Sequence, residues 1–228
     1  MGEFLTRRQT YTRIRYALNH KKPLSLVRIG DGENICLSQK SLWSIKRVMK
    51  EPWVKRKDKG VTLPNLRLRN QMVSEIRRAS IVGLLSPNDT LIRAPRYQKR
   101  PLTNKVFAYF RISPRLTCNA CINRYATGDK DFWKLLRGRR IFIISKHAKS
   151  MKKKLRKRGL NVVGTLSFTH YKQISHTVDK VGAKRHTFDL VLISTGVNAV
   201  ILAPRIARRT RKVALDFGQW HKKHKGPA

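Results

Sequence analysis

The sequence predicts an α/β fold built on a mostly parallel sheet flanked by helices. Three observations carry that prediction. Short apolar runs recur at 24–29, 80–85, 139–145, 160–166, 188–194 and 212–218. Several of the intervening segments place apolar residues at helical spacing. The runs are apolar on both faces, as strands covered by helices on both sides require. Strands alternating with helices imply βαβ units with right-handed crossovers. A chain of 228 residues suits one domain, assigned to 1–220, followed by a basic, flexible tail at 221–228.

In chain order, residues 10–19 space Tyr11, Ile14 and Leu18 as one helix face, and Lys21-Lys22-Pro23 stops it. Residues 24–29 form a buried strand. Gly30-Asp31-Gly32-Glu33 reads as a turn, with a helix after it through Ile35, Leu42 and Ile45. The charged stretch 53–63 reads as a loop, and 67–79 as a helix with Met72, Val73 and Ile76 inward. Residues 80–85 are the next strand. The Pro- and Arg-rich stretch 91–115 gives no assignment. Thr127 is placed to cap a helix running through Leu136. A strand at 139–145, a helix at 147–158 closed by Gly159, and a strand at 160–166 follow. Tyr171, Ile174, Val178 and Val181 mark another helix. A strand at 188–194, a helix at 197–208 that Pro204 should kink, and a strand at 212–218 complete the series.

Hydrophobic residues make up 40% of the chain, which excludes compositional disorder. Lys and Arg total 52 against 12 Asp and Glu, a formal net charge of +40. Such a charge predicts a polyanionic partner: nucleic acid, an anionic glycan or envelope material. The N-terminal segment lacks the apolar core of a signal peptide, and no run is long enough to span a membrane. Three cysteines, Cys36, Cys118 and Cys121, are too few for a disulfide scaffold, so a cytoplasmic location is expected. The lone Cys118-x-x-Cys121 pair has no second pair at zinc spacing and reads as ordinary thiols.

The acids draw attention because they are scarce. Asp31 and Glu33 follow directly on a strand, where an open α/β sheet presents ligands. An acid-x-acid pair between Gly30 and Gly32 can aim two carboxylates at one hard cation such as Mg²⁺ or Mn²⁺. The same pair can instead stabilise a helix N-terminus. Ser194, Thr195, Gly196 and Asn198 lie between a strand and a helix, where hydroxyls and free N–H groups suit an anion. Helix capping would use the same residues. Asp216 ends the last strand and can meet a sugar hydroxyl or bond to backbone. Ser145, Lys146 and His147 lie at a comparable edge, and Arg124 and Tyr125 are further candidates.

The segment Leu-Ser-Leu-Val-Arg-Ile-Gly-Asp-Gly-Glu at 24–33 resembles the N-terminal motif of the GT-D fold glycosyltransferases, formerly a domain of unknown function. The closing unit at 188–219, with its Ser-Thr-Gly turn and its Ala-Leu-Asp-Phe-Gly end, is similar to that family's last strand–helix–strand. The resemblance spans most of residues 10–219. It implies a single Rossmann-like domain that transfers a hexose from a nucleotide sugar, a UDP-hexose first, using a divalent metal. Carried onto this sequence, Asp31 and Glu33 become metal, donor and catalytic residues with Arg28 beside them. Gly30, Gly32, Ser194, Thr195, Gly196, Asn198 and Asp216 become donor-binding residues. The acceptor implied is an unidentified anionic glycan or cell- or spore-envelope material. The rival expectation is an inactive basic binding protein on the same fold.

Overall fold

The computed structural model describes residues 2–56, 59–126 and 128–218. Eight strands are described: β1 (Glu3–Leu5), β2 (Leu24–Ile29), β3 (Ile81–Leu84), β4 (Leu116–Asn119), β5 (Ile141–Ser145), β6 (Val162–Leu166), β7 (Leu190–Ser194) and β8 (Val213–Asp216). They form one sheet in the order β1-β4-β3-β2-β8-β7-β5-β6. Every pairing within it is parallel. The architecture is therefore the predicted α/β class with a parallel sheet between helical layers.

Two layers of helices cover the two faces. One holds α2 (Asp31–Ser38), α4 (Leu66–Arg78), α5 (Arg100–Tyr109), α9 (Ile174–Ala183) and α10 (Ala199–Thr210). The other holds α1 (Arg7–Asn19), α7 (Lys130–Leu136) and α8 (Ala148–Arg156). Strand residues alternate between the layers. Val27 and Ile29 join the first core, while Leu24 and Leu26 join the second. Short helices α3 (Ile45–Lys50) and α6 (Ile122–Ala126) complete the set.

The sheet order reverses at its centre. After β2 the chain builds β3 and β4 on one side, then places β5 to β8 on the other, and β8 closes against β2. A crevice opens at such a switch point, outside the carboxyl ends of the strands. Arg28 on β2 and Asp216 on β8 both lie there.

Several sequence expectations need correction. Gly30-Asp31-Gly32-Glu33 is not a turn: Gly30 is the N-cap and Asp31 to Glu33 are the first turn of α2. Glu33 supplies the cap itself, its Oε2 accepting from the Gly30 N–H at 2.9 Å. Leu42 lies outside any helix, because α2 ends at Ser38 and α3 begins at Ile45. The helix expected at 197–208 begins later: α10 runs from Ala199 to Thr210 with Pro204 inside it, after a 3-10 turn at Gly196–Asn198. The unassigned stretch holds α5, with Pro101 in its first turn, where a missing N–H costs nothing. Strands β1 and β4 and helix α6 had no counterpart in the sequence reading. Asp129 caps α7; Thr127, expected as the cap, lies outside the described residues, as does the 221–228 tail.

Candidate functional site

Arg28 is the centre of the crevice. Its side chain is 20% exposed and donates in three directions. Nε donates to the Asp216 carbonyl at 3.1 Å, and Nη2 to Asp216 Oδ1 at 2.9 Å. Nη1 donates to Asn123 Oδ1 at 2.9 Å and to the Ala120 carbonyl at 3.4 Å. The planar fork thus ties β2 to the ends of β8 and β4 and to α6. Two glycines make room for it. A Cβ at Gly83 would stand 3.2 Å from Arg28 Cγ, and one at Gly218 would stand 2.3 Å from Arg28 Nη2. Gly218 also has φ of +61°, so a side chain there is excluded twice over.

Asp216 is buried, and its Oδ1 also accepts from the Gly218 N–H at 3.0 Å. Burial pushes its carboxyl above the usual carboxylate range, while Arg28 and the backbone donors pull the other way. Arg28 is held in its charged form: burial acts against the charge, but Asp216 and then Glu33 outweigh it. Glu33 is partly buried and titrates at about 7, raised first by burial, then by Asp216 and Asp31, with Arg28 opposing. Asp31, Glu33, Asp216 and Arg28 therefore share one electrostatic neighbourhood. Asp31 and Glu33 also sit at the positive end of the α2 dipole.

Gly32 lies against Trp53, whose ring carbons would stand 2.6 to 2.7 Å from an added Cβ. Lys59 Nζ lies over the Trp53 ring, 5.6 Å from its centroid. The turn after β7 adjoins the same edge. Ser194 Oγ donates to the Gly218 carbonyl, joining β7 to the end of β8. Gly196 has φ of +60° and passes under the Lys59 carbonyl. Asn198 is fully buried, its amide donating to the Gly60 carbonyl at 3.0 Å and to the Thr195 carbonyl at 3.3 Å. Thr195 Oγ1 and Asn198 Oδ1 are buried with no hydrogen-bond partner.

Sequence reading did not find Asn123 or Trp53. Asn123 bonds both Arg28 and the Phe217 carbonyl, but its local segment gave no element to place it on. Other candidates fall elsewhere. Ser145 Oγ accepts from the His147 N–H in a local turn, and Lys146 and His147 are exposed. Arg124 donates to the Leu91 carbonyl, and Tyr125 lies beside Arg7 on the outer layer. Cys118 and Cys121 are buried free thiols, each pushed up to about 12, by burial first in both cases. That is far above the range of reactive cysteines.

Among the described residues, no three His, Cys, Asp or Glu side chains gather closely enough to hold a metal alone. Asp216 is engaged by Arg28, and one oxygen of Glu33 by Gly30. The donor set left is two hard carboxylates, Asp31 and Glu33. That set fits a divalent cation which takes its remaining ligands from phosphate and water, as Mg²⁺ and Mn²⁺ do. It does not fit a closed structural cage. No described helix is long and apolar enough to cross a membrane.

Comparison with known proteins agrees with this architecture. A family model for the GT-D fold-like domain matches residues 5–224. No curated protein matches the chain. Among solved structures, one described as domain of unknown function 1792 with a distinct glycosyltransferase fold superimposes with a TM-score of 0.64 at 13% identity. The match covers 96% of this chain and 79% of that one. A new glycosyltransferase of the same domain type from Streptococcus sanguinis gives 0.63 at 15% identity, covering 96% and 82%. At these identities the likeness is one of fold. The family match spans nearly the whole sequence, and this chain belongs to the GT-D fold-like domain family.

Proposed function

We propose that this protein is a nucleotide-sugar-dependent hexosyltransferase, with a UDP-hexose as donor and an acceptor of anionic character. The observation that carries this reading is that Glu33 has both Arg28 and Asp31 as charged neighbours at the sheet's switch point. Arg28 is anchored by Asp216 and Asn123 rather than by the α2 acids. Its charge is therefore fixed in place beside those acids rather than neutralised by a direct pair with either. Asp31 and Glu33 would hold Mn²⁺ or Mg²⁺. The chemistry such a cation supplies when bound is neutralisation of a diphosphate leaving group.

Arg28 adds a preorganised positive charge to the same leaving group, and no reorganisation is needed as negative charge develops. Asp216 positions Arg28. Gly30 and Gly32 keep the first turn of α2 close to the edge. Ser194 and Gly196 shape the neighbouring wall. The Thr195 hydroxyl and the Asn198 carbonyl oxygen, both without protein partners, remain for a ligand's polar groups. The acceptor hydroxyl attacks the anomeric carbon as the diphosphate leaves. The domain proposed for this work is 1–220, acting in the cytoplasm or in association with the cell or spore envelope.

A second reading draws on one specific observation: one oxygen of Glu33 is already spent on the helix cap. In that reading the fold is retained as a basic binding protein without turnover. UDP release from UDP-glucose with Mn²⁺, with and without candidate anionic acceptors, separates the two. Turnover that survives both Asp31→Asn and Glu33→Gln refutes the metal assignment. No turnover across a broad panel of nucleotide sugars supports the binding protein.

A further inference from the structure

The acids of this chain are distributed in a way that leaves one face bare. Arg7 pairs with Asp129, Arg13 with Glu3, Lys99 with Asp89, and Arg205 and Arg208 with Glu75. Between Asp131 and Asp179 the sequence contains no acid at all. Helix α8 lies in the middle of that interval. Its Ala148, Met151 and Leu155 are buried against β5 and β6. On its outer side, Lys149, Lys152, Lys153, Arg156 and Lys157 follow one another at helical spacing. These five side chains line a shallow hollow of about 510 Å³. None of the five makes an ion pair among the described residues. Like charges three and four residues apart repel one another, so the stripe costs the free helix stability that a counter-charge restores.

The spacing of the charge indicates the partner. From Lys149 to the C-capping Lys157 the chain rises about 12 Å, so its five cations, four intervals apart, stand roughly 3 Å from one another along the axis. A single nucleic-acid strand in a helix carries about one phosphate per 3.4 Å, and a duplex about one per 1.7 Å. The stripe therefore matches the phosphate spacing of one strand's backbone, which a duplex also presents on its outside. The lining of the hollow has no aromatic side chain, which a single-strand site needs for base stacking. Four of its five cations are Lys, which meet phosphate as point charges rather than through the rigid fork of Arg. The apolar side of α8 is already buried in the protein, so it cannot insert into a lipid surface.

We infer that the outer face of α8 is a sequence-independent docking surface for the phosphate backbone of a nucleic-acid duplex. It lies on the outer layer against β5 and β6, apart from Arg28 and the α2 acids. The inference holds whether or not that crevice turns over a nucleotide sugar.

The test is fluorescence anisotropy of the full-length protein with a labelled 20-base-pair duplex of arbitrary sequence, across a salt series. Lys152→Gln, Lys153→Gln and Lys157→Gln are combined in one variant. Arg8→Gln, Arg15→Gln and Arg115→Gln form a control of equal charge on another part of the surface. Far-UV circular dichroism and melting verify that both variants are folded. Each lost phosphate contact reduces the slope of log affinity against log salt by about 0.9, so the α8 variant becomes shallower by about 2.7. Between 50 and 200 mM salt this removes roughly 40-fold of the salt sensitivity. The control changes the slope by less than one contact's worth. An equal change in both variants overturns the inference, because the binding then belongs to the whole surface. So does tighter binding of a single strand or of a sulfated glycan with the same α8 dependence, since the partner is then of another class.

Discussion

Arg28 and Asp216 form a buried pair whose two members should behave very differently when removed. Arg28→Met leaves the Asp216 carboxylate buried, with the Gly218 N–H as its remaining hydrogen bond of those seen in the wild-type protein. It also strips donors from Asn123 Oδ1, the Ala120 carbonyl and the Asp216 carbonyl. Breaking a buried pair from one side costs about 3–5 kcal/mol. For a domain of this size that lowers Tm by roughly 10 °C. Asp216→Asn is different. The amide oxygen still accepts from Arg28 and Gly218, and the substitution removes a charge that burial already disfavours. Its cost should be smaller than that of Arg28→Met, because Arg28 is 20% exposed, against 2% for Asp216, and keeps Glu33 as a neighbouring charge. Combining both substitutions should recover about 2 kcal/mol of the Arg28→Met loss, because no unpaired carboxylate is left. The recovery is partial because the three stranded acceptors remain. Urea unfolding at pH 7.5 of the wild type, both single variants and the double variant measures all four corners. Equal costs for the single variants, or a double variant that loses their sum, would refute the view that Arg28 exists to be positioned by Asp216.

Glu33 carries a further prediction. Its folded pKa of about 7 stands above the ordinary 4.5, so the folded state holds this proton more tightly than the unfolded state. Its contribution is fully present below about pH 4.5 and is lost as pH rises toward 7, on the order of 3 kcal/mol in all. Glu33→Gln should flatten that part of the stability–pH curve, read from urea midpoints. Mn²⁺ affinity, measured by calorimetry, should fall steeply below pH 7 as protons compete for Glu33. Gly32→Ala drives a methyl into Trp53 and should cost about 1–3 kcal/mol, with a changed near-UV circular dichroism spectrum. Asn198→Ala removes one of the two hydrogen bonds to the Gly60 carbonyl, leaving that from the Tyr171 N–H, and should cost about 0.5–1.5 kcal/mol, with faster limited proteolysis of the loop that carries Gly60.

The parts of the fold legible in the sequence are those where pattern and burial coincide. Strand β2 is apolar on both faces because helices cover both, and such a run has few other readings. Strand β1 has three residues, two of them exposed at the sheet edge, so no periodicity can develop. Strand β4, Leu-Thr-Cys-Asn, is buried at its middle yet polar in composition. With β1 and β4 unseen, α6 had no frame, and Asn123 had no place near Arg28. Helix α5 was hidden by Pro101, whose breaking power vanishes in a first turn. The misreading at 30–33 has a related cause. Two glycines signal a turn by composition, but here Gly30 is a cap and Gly32 is small because Trp53 needs the space. Neither requirement is local, so neither is visible in the order of residues.

The charge arrangement around Arg28 explains why a chain of net charge +40 retains acids at this edge. Elsewhere among the described residues several acids tether cations: Glu75 two arginines of α10, Asp89 Lys99, and Asp189 Arg140. At the switch point the ratio is inverted, with Asp216 and Glu33 beside a single arginine and Asp31 beside Glu33. Asp216 takes up the guanidinium directly, so the two α2 acids are left without a full partner charge. Burial first, and then Asp216 and Asp31, raise the Glu33 titration to about 7. A structural cluster would relieve the deficit of partner charge by recruiting another Lys or Arg, which this sequence supplies in excess. Keeping the deficit costs stability, and a bound divalent cation would cancel it. In the function proposed, that cost would distinguish a site held ready for a cation from an ordinary helix cap. Arg28 and the cation would then act on the same diphosphate from separate anchors, one fixed by Asp216 and one by α2.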